Sequence, residues 1–118
     1  MCDTEGVLEA LLGNKTAENT LLYLANYGEG YASAIAHTYN ISLNMVQKQL
    51  ARLEMGQIVV SHLVGKTRVY QLNPRWFFYK DLYQLLTKAL EAVPEYDLQK
   101  YYRQRRRPRR KDKPLWLK

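Results

Sequence analysis

Apolar residues along the chain change period twice, and each change marks a new kind of element. Val7, Leu8, Leu11 and Leu12 recur at helical spacing until Gly13-Asn14 interrupts them. Asn14 or Thr16 can cap a second helix carrying Leu21, Leu22 and Leu24, which should stop near Gly28. A short third helix fits residues 31–39, with Ala32, Ile35 and Ala36 inward. Asn40 follows it, a residue type that tolerates the left-handed conformation of a tight turn. Ser42 reads as the cap of a fourth helix that runs to about Met55 and ends at Gly56, with Val46, Leu50 and Leu53 as its inward stripe. The period then falls to two. Residues 58–64 are β-rich, Gly65-Lys66-Thr67 suits a tight turn, and a second strand over 68–72 puts Arg68, Tyr70 and Leu72 on one side, Val69 and Gln71 on the other. Asn73-Pro74 closes it. Helical spacing returns over 75–93 through Phe78, Leu82, Leu85, Leu86, Ala89 and Val93. Pro94 breaks that helix and can open a short further one through Tyr96, Leu98, Tyr101 and Tyr102.

The expected fold is mainly α with a two-stranded β-wing: two helices joined by a tight turn and followed by a hairpin with a cationic tip are, in that order, the parts of a winged helix-turn-helix. Residues 1–93 form that domain with its flanking helices. Residues 94–118 form a C-terminal short helix and a basic tail, expected to be disordered because apolar periodicity is lost from Arg103 to Lys113. Leu115-Trp116-Leu117 closes the chain with an apolar end that can dock on a partner or on the body, or do neither.

Charge sharpens the picture. The net charge is +7. Residues 1–99 hold 8 Lys/Arg against 10 Asp/Glu, or −2, and residues 100–118 hold 10 Lys/Arg against Asp112 alone, or +9. Within the body, residues 1–47 carry Lys15 against five acids, whereas 48–75 carry Lys48, Arg52, Lys66, Arg68 and Arg75 against Glu54. A polyanion would meet the second stretch.

On the fourth helix, at about 100° per residue, Asn44, Lys48, Ala51 and Arg52 project away from the apolar stripe, with Gln47 at its margin. Taken alone, such a face is ordinarily just solvated. With the hairpin after it, it suits a duplex, where phosphate contacts supply much of the affinity and base edges carry the sequence. Asn44 and Gln47 have amides able to bond adenine in a bidentate way, Lys48 can reach guanine acceptors, and Leu43 or Met45 can touch a thymine methyl. Ser42 offers a hydroxyl and a helix N-terminus to a phosphate. Lys66, Thr67 and Arg68 on the wing, with Arg75 near its base, are placed for backbone or minor-groove contact. The bland alternatives are specific: Leu43 as a staple, Met45 as core, Gln49 at a helix–helix interface, and Arg52 in a surface ion pair. Arg103, Arg105, Arg106, Arg107, Arg109, Arg110 and Lys111 form a sequence-blind polycation for DNA or for RNA, and Tyr101 and Tyr102 can stack on unpaired bases or, more commonly, pack.

Several of these strings are together similar to a known family. Leu12-Gly13-Asn14-Lys15-Thr16, Ile41-Ser42, Val46, Lys48-Gln49-Leu50-Ala51-Arg52-Leu53-Glu54 and the run from Gly65 through Lys66-Thr67-Arg68-Val69-Tyr70-Gln71-Leu72-Asn73-Pro74 resemble the ArsR-like winged helix-turn-helix regulators, with MarR-like regulators as near neighbours. The likeness covers a little over half the chain and is most specific in the wing. It implies a symmetric dimer built from the first and last long helices, with the fourth helix in the major groove. Leu8, Leu11, Phe78, Leu82, Leu85, Leu86 and Ala89 are the expected interface. Two departures matter. Metal-sensing members carry paired cysteines where this chain has Tyr31 and Ser33, so the resemblance implies no metal site here. An Arg common early in the second helix is replaced by Ala17-Glu18.

Other chemistry finds little support. Cys2 is the single cysteine, and His37 and His62 lack partners at ligand spacing. Gly65-Lys66-Thr67 echoes a phosphate-binding loop, but that motif needs glycine where Val60 stands. No enzyme activity, cofactor or metal is expected. With no signal-like start and no membrane-length apolar run, the expected location is cytoplasmic. The sequence points to a sequence-specific double-stranded DNA-binding transcriptional regulator, dimeric, with an inducing ligand unidentified; an RNA- or ribosome-associated module using the Arg-rich tail is the alternative.

Overall fold

In the computed structural model, residues 8–93 and 100–102 are described. The expected short helix after Pro94 falls only in part within them, and the tail cations Arg103, Arg105, Arg106, Arg107, Arg109, Arg110 and Lys111 lie outside. The elements run α1 (Glu9–Leu12), α2 (Lys15–Tyr27), α3 (Ala32–Tyr39), α4 (Leu43–Met55), β1 (Val59–Val64), β2 (Thr67–Leu72) and α5 (Tyr79–Ala92). The fold is mainly helical with a two-stranded antiparallel hairpin whose register pairs Val59 with Leu72 and Val64 with Thr67.

Local chemistry sets most boundaries. The Asn14 side chain accepts a hydrogen bond from the Ala17 amide at 2.7 Å and so starts α2; Gly28, at φ 90°, ends it. Asn40 takes the left-handed conformation (φ 57°, ψ 50°) that lets α3 stop two residues before Ser42 caps α4, its hydroxyl accepting from the Met45 amide at 3.0 Å. Replacing Asn14 with Ala should cost about 1 kcal/mol, read as a lower denaturant midpoint.

Helix α2 runs through the middle of the core. Leu21, Leu22 and Leu24 are buried together with Ile35, Val46, Leu50, Leu53, Val59, Leu72, Leu86 and Leu90. Even Glu18 is buried: its Oε2 accepts from the Leu8 amide at 2.9 Å, and Oε1 lies 3.5 Å from Lys15 Nζ. The departure from the resembling family at Ala17-Glu18 is therefore an interior matter. Glu18 ties α1 to α2, and that position has no surface from which a cation could reach a ligand.

The expected dimer residues divide. Leu8, Leu86 and Ala89 are buried in the chain's own core, so they have no surface left for a second copy. The expectation fails for Leu86 and Ala89 because α5 turns its most apolar side onto α2, and for Leu8 because the start of α1 is held against α2 through Glu18. Leu82 is half-buried against the same core, whereas Leu11, Phe78 and Leu85 are exposed. The last long helix also begins four residues later than the spacing suggests. Asn73 Oδ1 accepts from the Arg75 amide, Asn73 O from Trp76 N and Trp76 O from Tyr79 N, so two tight turns occupy 73–79 and Phe78 stands before the helix.

One long-range link is absent from the periodicity. Gly30, between α2 and α3, pairs with Tyr70 of β2: its N–H donates to Tyr70 O at 3.0 Å and its carbonyl accepts from Tyr70 N at 2.7 Å. This bridge fastens the hairpin to the helical body. Glycine alone fits without displacing the Tyr23 ring, since a Cβ at Gly30 would meet that ring at 2.5 Å. Gly30→Ala is expected to lower stability by about 1–3 kcal/mol through that overlap, measured by urea unfolding.

Candidate nucleic-acid interface

The outer face of α4 is built by its inner face. Val46, Leu50 and Leu53 are buried, which fixes the rotation of the helix and leaves Ser42, Asn44, Gln47, Lys48, Ala51 and Arg52 exposed. None of these side chains lies beneath another described element. Leu43 and Met45 are exposed as well, so Met45 does not serve as core. Gln49 is half-buried, and its Oε1 accepts from Arg52 Nε at 3.0 Å. Arg52 is thus steadied on its own helix, one turn from the residue that holds it.

Lys66 and Thr67 sit exposed at the hairpin tip, where Gly65 takes φ 64°, and Arg75 is exposed at its base. Among the described residues, no side-chain hydrogen bond or ion pair holds Lys48, Lys66 or the Arg75 guanidinium. Arg68 differs. It is exposed, but Nη1 donates to Ser61 Oγ at 3.0 Å, and Ser61 Oγ donates to Glu54 Oε2 at 2.7 Å. Three charges sharing one polarity by sequence therefore fall into two situations: Lys48 and Lys66 are open to solvent, and Arg68 is coupled to the acid that ends α4.

The tyrosines before the tail point inward. Tyr102 is buried with its hydroxyl 2.7 Å from that of Tyr39, and the Tyr27 hydroxyl donates to the Tyr101 carbonyl. Tyr39 and Tyr101 rings lie 5.0 Å apart. Burial, with the neighbouring tyrosines, holds the Tyr39 hydroxyl far above its ordinary range. Burial raises that of Tyr102 as well, against a lowering by its bond to Tyr39. Of the two tyrosines offered for stacking, Tyr102 is buried and has no free face for a base, whereas Tyr101 is half-buried against the core.

Sequence reasoning missed Gly30 and the Glu54–Ser61–Arg68 string. The alternation of β2 held a signal for the second, because it put Arg68 on the side of Leu72, which is buried. Among the described residues no helix is long and apolar enough to cross a membrane, and no group of three or more His, Cys, Asp or Glu could hold a metal ion. No protein-family model matches this chain, and none of the curated proteins compared with it matches either.

Proposed function

We propose that the chain is a sequence-specific double-stranded DNA-binding transcriptional regulator that acts as a dimer. In this reading α3 and α4 are a helix-turn-helix, α4 reads the major groove, and the β1–β2 hairpin is a wing over the neighbouring backbone. One arrangement carries it: a helix locked by three buried residues presents amides and a cation to solvent, and a hairpin tipped by a free lysine follows it after a three-residue joint.

The roles follow from the chemistry of each group. Asn44 and Gln47 have paired donor and acceptor atoms that match adenine, and Lys48 has donors for guanine O6 and N7. The Ser42 hydroxyl already caps α4, so its contribution is the helix N-terminus it organises, directed at a phosphate. Lys66 and Arg75 neutralise phosphates and give affinity without sequence. The second copy would meet the exposed side of α5 and the turn before it, where Phe78 and Leu85 lie.

A selection from random duplexes, run at two salt concentrations, tests the proposal. The expected outcome is a two-fold site with half-sites near one helical turn apart. Gln47→Ala with Lys48→Ala should flatten sequence preference, since each base contact is worth about 1–3 kcal/mol of discrimination. Lys66→Ala should weaken all duplexes alike and make the salt slope shallower by about one. An unchanged selected sequence in the Gln47/Lys48 variant would sink α4 as the reading helix.

A further inference from the structure

We infer that Arg68 is a positioning residue: acting through Ser61 on Glu54, it fixes the angle at which the wing leaves the reading helix. The inference rests on the DNA-binding reading and divides the wing's cations into one that contacts phosphate and one that sets geometry.

The hairpin register puts Ser61, Leu63, Arg68 and Tyr70 on one strand face, because Ser61 pairs with Tyr70 and Leu63 with Arg68, and side chains alternate. Val59 and Leu72 continue that face into the core. A long side chain at 68 can reach diagonally to 61, and Arg68 does so at 3.0 Å. The polarity of the string is consistent at each step. A serine hydroxyl has one proton and two lone pairs; here the proton goes to the Glu54 carboxylate and a lone pair to the guanidinium. Glu54 and Ser61 are both half-buried, which strengthens a bond between charged and polar groups. Tyr70, opposite Ser61, senses both ends: after burial, the Glu54 charge raises its hydroxyl and the Arg68 charge lowers it.

The joint between α4 and β1 needs such a brace. It consists of Gly56, Gln57 and Ile58, with Gln57 at φ 67°. Asn73 holds the lower end, its Nδ2 donating to Gln57 O at 2.9 Å and its amide to Ile58 O at 2.9 Å. The Gly30–Tyr70 bridge holds β2 to the helices. Among the described residues, the Glu54–Ser61–Arg68 string alone hydrogen-bonds side chains of both strands to the end of α4. Were Arg68 drawn to a phosphate instead, Ser61 would lose its guanidinium donor and the link from β2 to Glu54 would be broken.

The test compares Ser61→Ala, Arg68→Ala, Glu54→Gln, Ser61→Thr and Lys66→Ala by duplex binding across a salt series and by amide exchange of 59–72 without DNA. Ser61→Ala and Arg68→Ala should each weaken binding about 3–10-fold, leave the salt slope as it was, and do no more together than singly, as expected of residues in one network. Glu54→Gln should do the same. Ser61→Thr keeps the hydroxyl and should restore binding. In the free protein these weakening variants should exchange faster across both strands, while Lys66→Ala should not. A slope shallower by about one in Arg68→Ala, with Ser61→Ala silent, would make Arg68 a phosphate ligand and overturn the inference. Unchanged exchange in Ser61→Ala and Arg68→Ala would overturn it too, whatever the duplex does. Faster exchange in a chain that binds no duplex would support the brace and sink the DNA reading alone.

Discussion

Raising the pH from 10 to 12 should remove about 5 kcal/mol of stability, a loss comparable to the whole margin of a small domain. The cause is the buried pair Tyr39–Tyr102. In the folded chain both hydroxyls are held well above their ordinary pKa of about 10, burial being the larger cause in each. In the unfolded chain they ionise freely. A group whose folded pKa is raised contributes stability that is complete below the unfolded value and declines above it, because the unfolded state alone gives up its proton. The loss per group approaches about 1.4 kcal/mol per pH unit once the unfolded hydroxyl is mostly ionised and is smaller just above pH 10, so two groups over two units together lose about 5 kcal/mol. Urea unfolding at several alkaline pH values, followed by tyrosinate absorbance, reads both the loss and the late ionisation. Tyr39→Phe should halve the slope with pH while costing about 1–3 kcal/mol at neutral pH, since it strands the Tyr102 hydroxyl. A slope unaffected by Tyr39→Phe would show that the pair is wet.

That pair also shows what a sequence can and cannot carry. Ten tyrosines are visible in the chain, but their packing is decided by contacts across 63 and 74 residues, between Tyr39 and Tyr102 and between Tyr27 and Tyr101. Caps are different. Asn14 and Ser42 bond amides three residues on, so the start of α2 and of α4 is legible from a few neighbouring letters. The inward stripe Val46, Leu50 and Leu53 is equally local, and its burial leaves Asn44, Gln47 and Lys48 on the outside, as the spacing requires. Gly30 has no periodic neighbours to announce a strand, and its bridge exists only because β2 passes beside it. Phe78 scans as helix by spacing, yet the Asn73 side chain diverts the chain into turns first. Arg68 lies between these cases. Strand parity assigned its face correctly, but only the fold brings Glu54 to the edge of that face.

The stripe on α5 poses the same problem with larger consequences, and a pair of substitutions one residue apart resolves it. Periodicity identifies an apolar side without saying whose apolar surface covers it. In this fold Leu86 is fully buried in its own chain, while its neighbour Leu85 is 38% exposed on the side proposed for the second copy. Leu86→Ala should therefore cost about 2–5 kcal/mol, the transfer of the missing side chain plus the cavity left behind. That cost should not depend on protein concentration, because the packing that Leu86 provides lies within one chain. Leu85→Asp should leave the folded chain nearly as stable in isolation but place a carboxylate against its own symmetry mate, since a two-fold interface presents the same patch twice. Light scattering should then find a monomer at micromolar concentration, and duplexes with two half-sites should lose the gain that comes from binding both at once. If Leu85→Asp stays dimeric while its circular dichroism is unchanged, the contact between copies lies elsewhere. If Leu86→Ala instead shows a melting temperature that climbs with concentration, the core assignment of α5 has to give way.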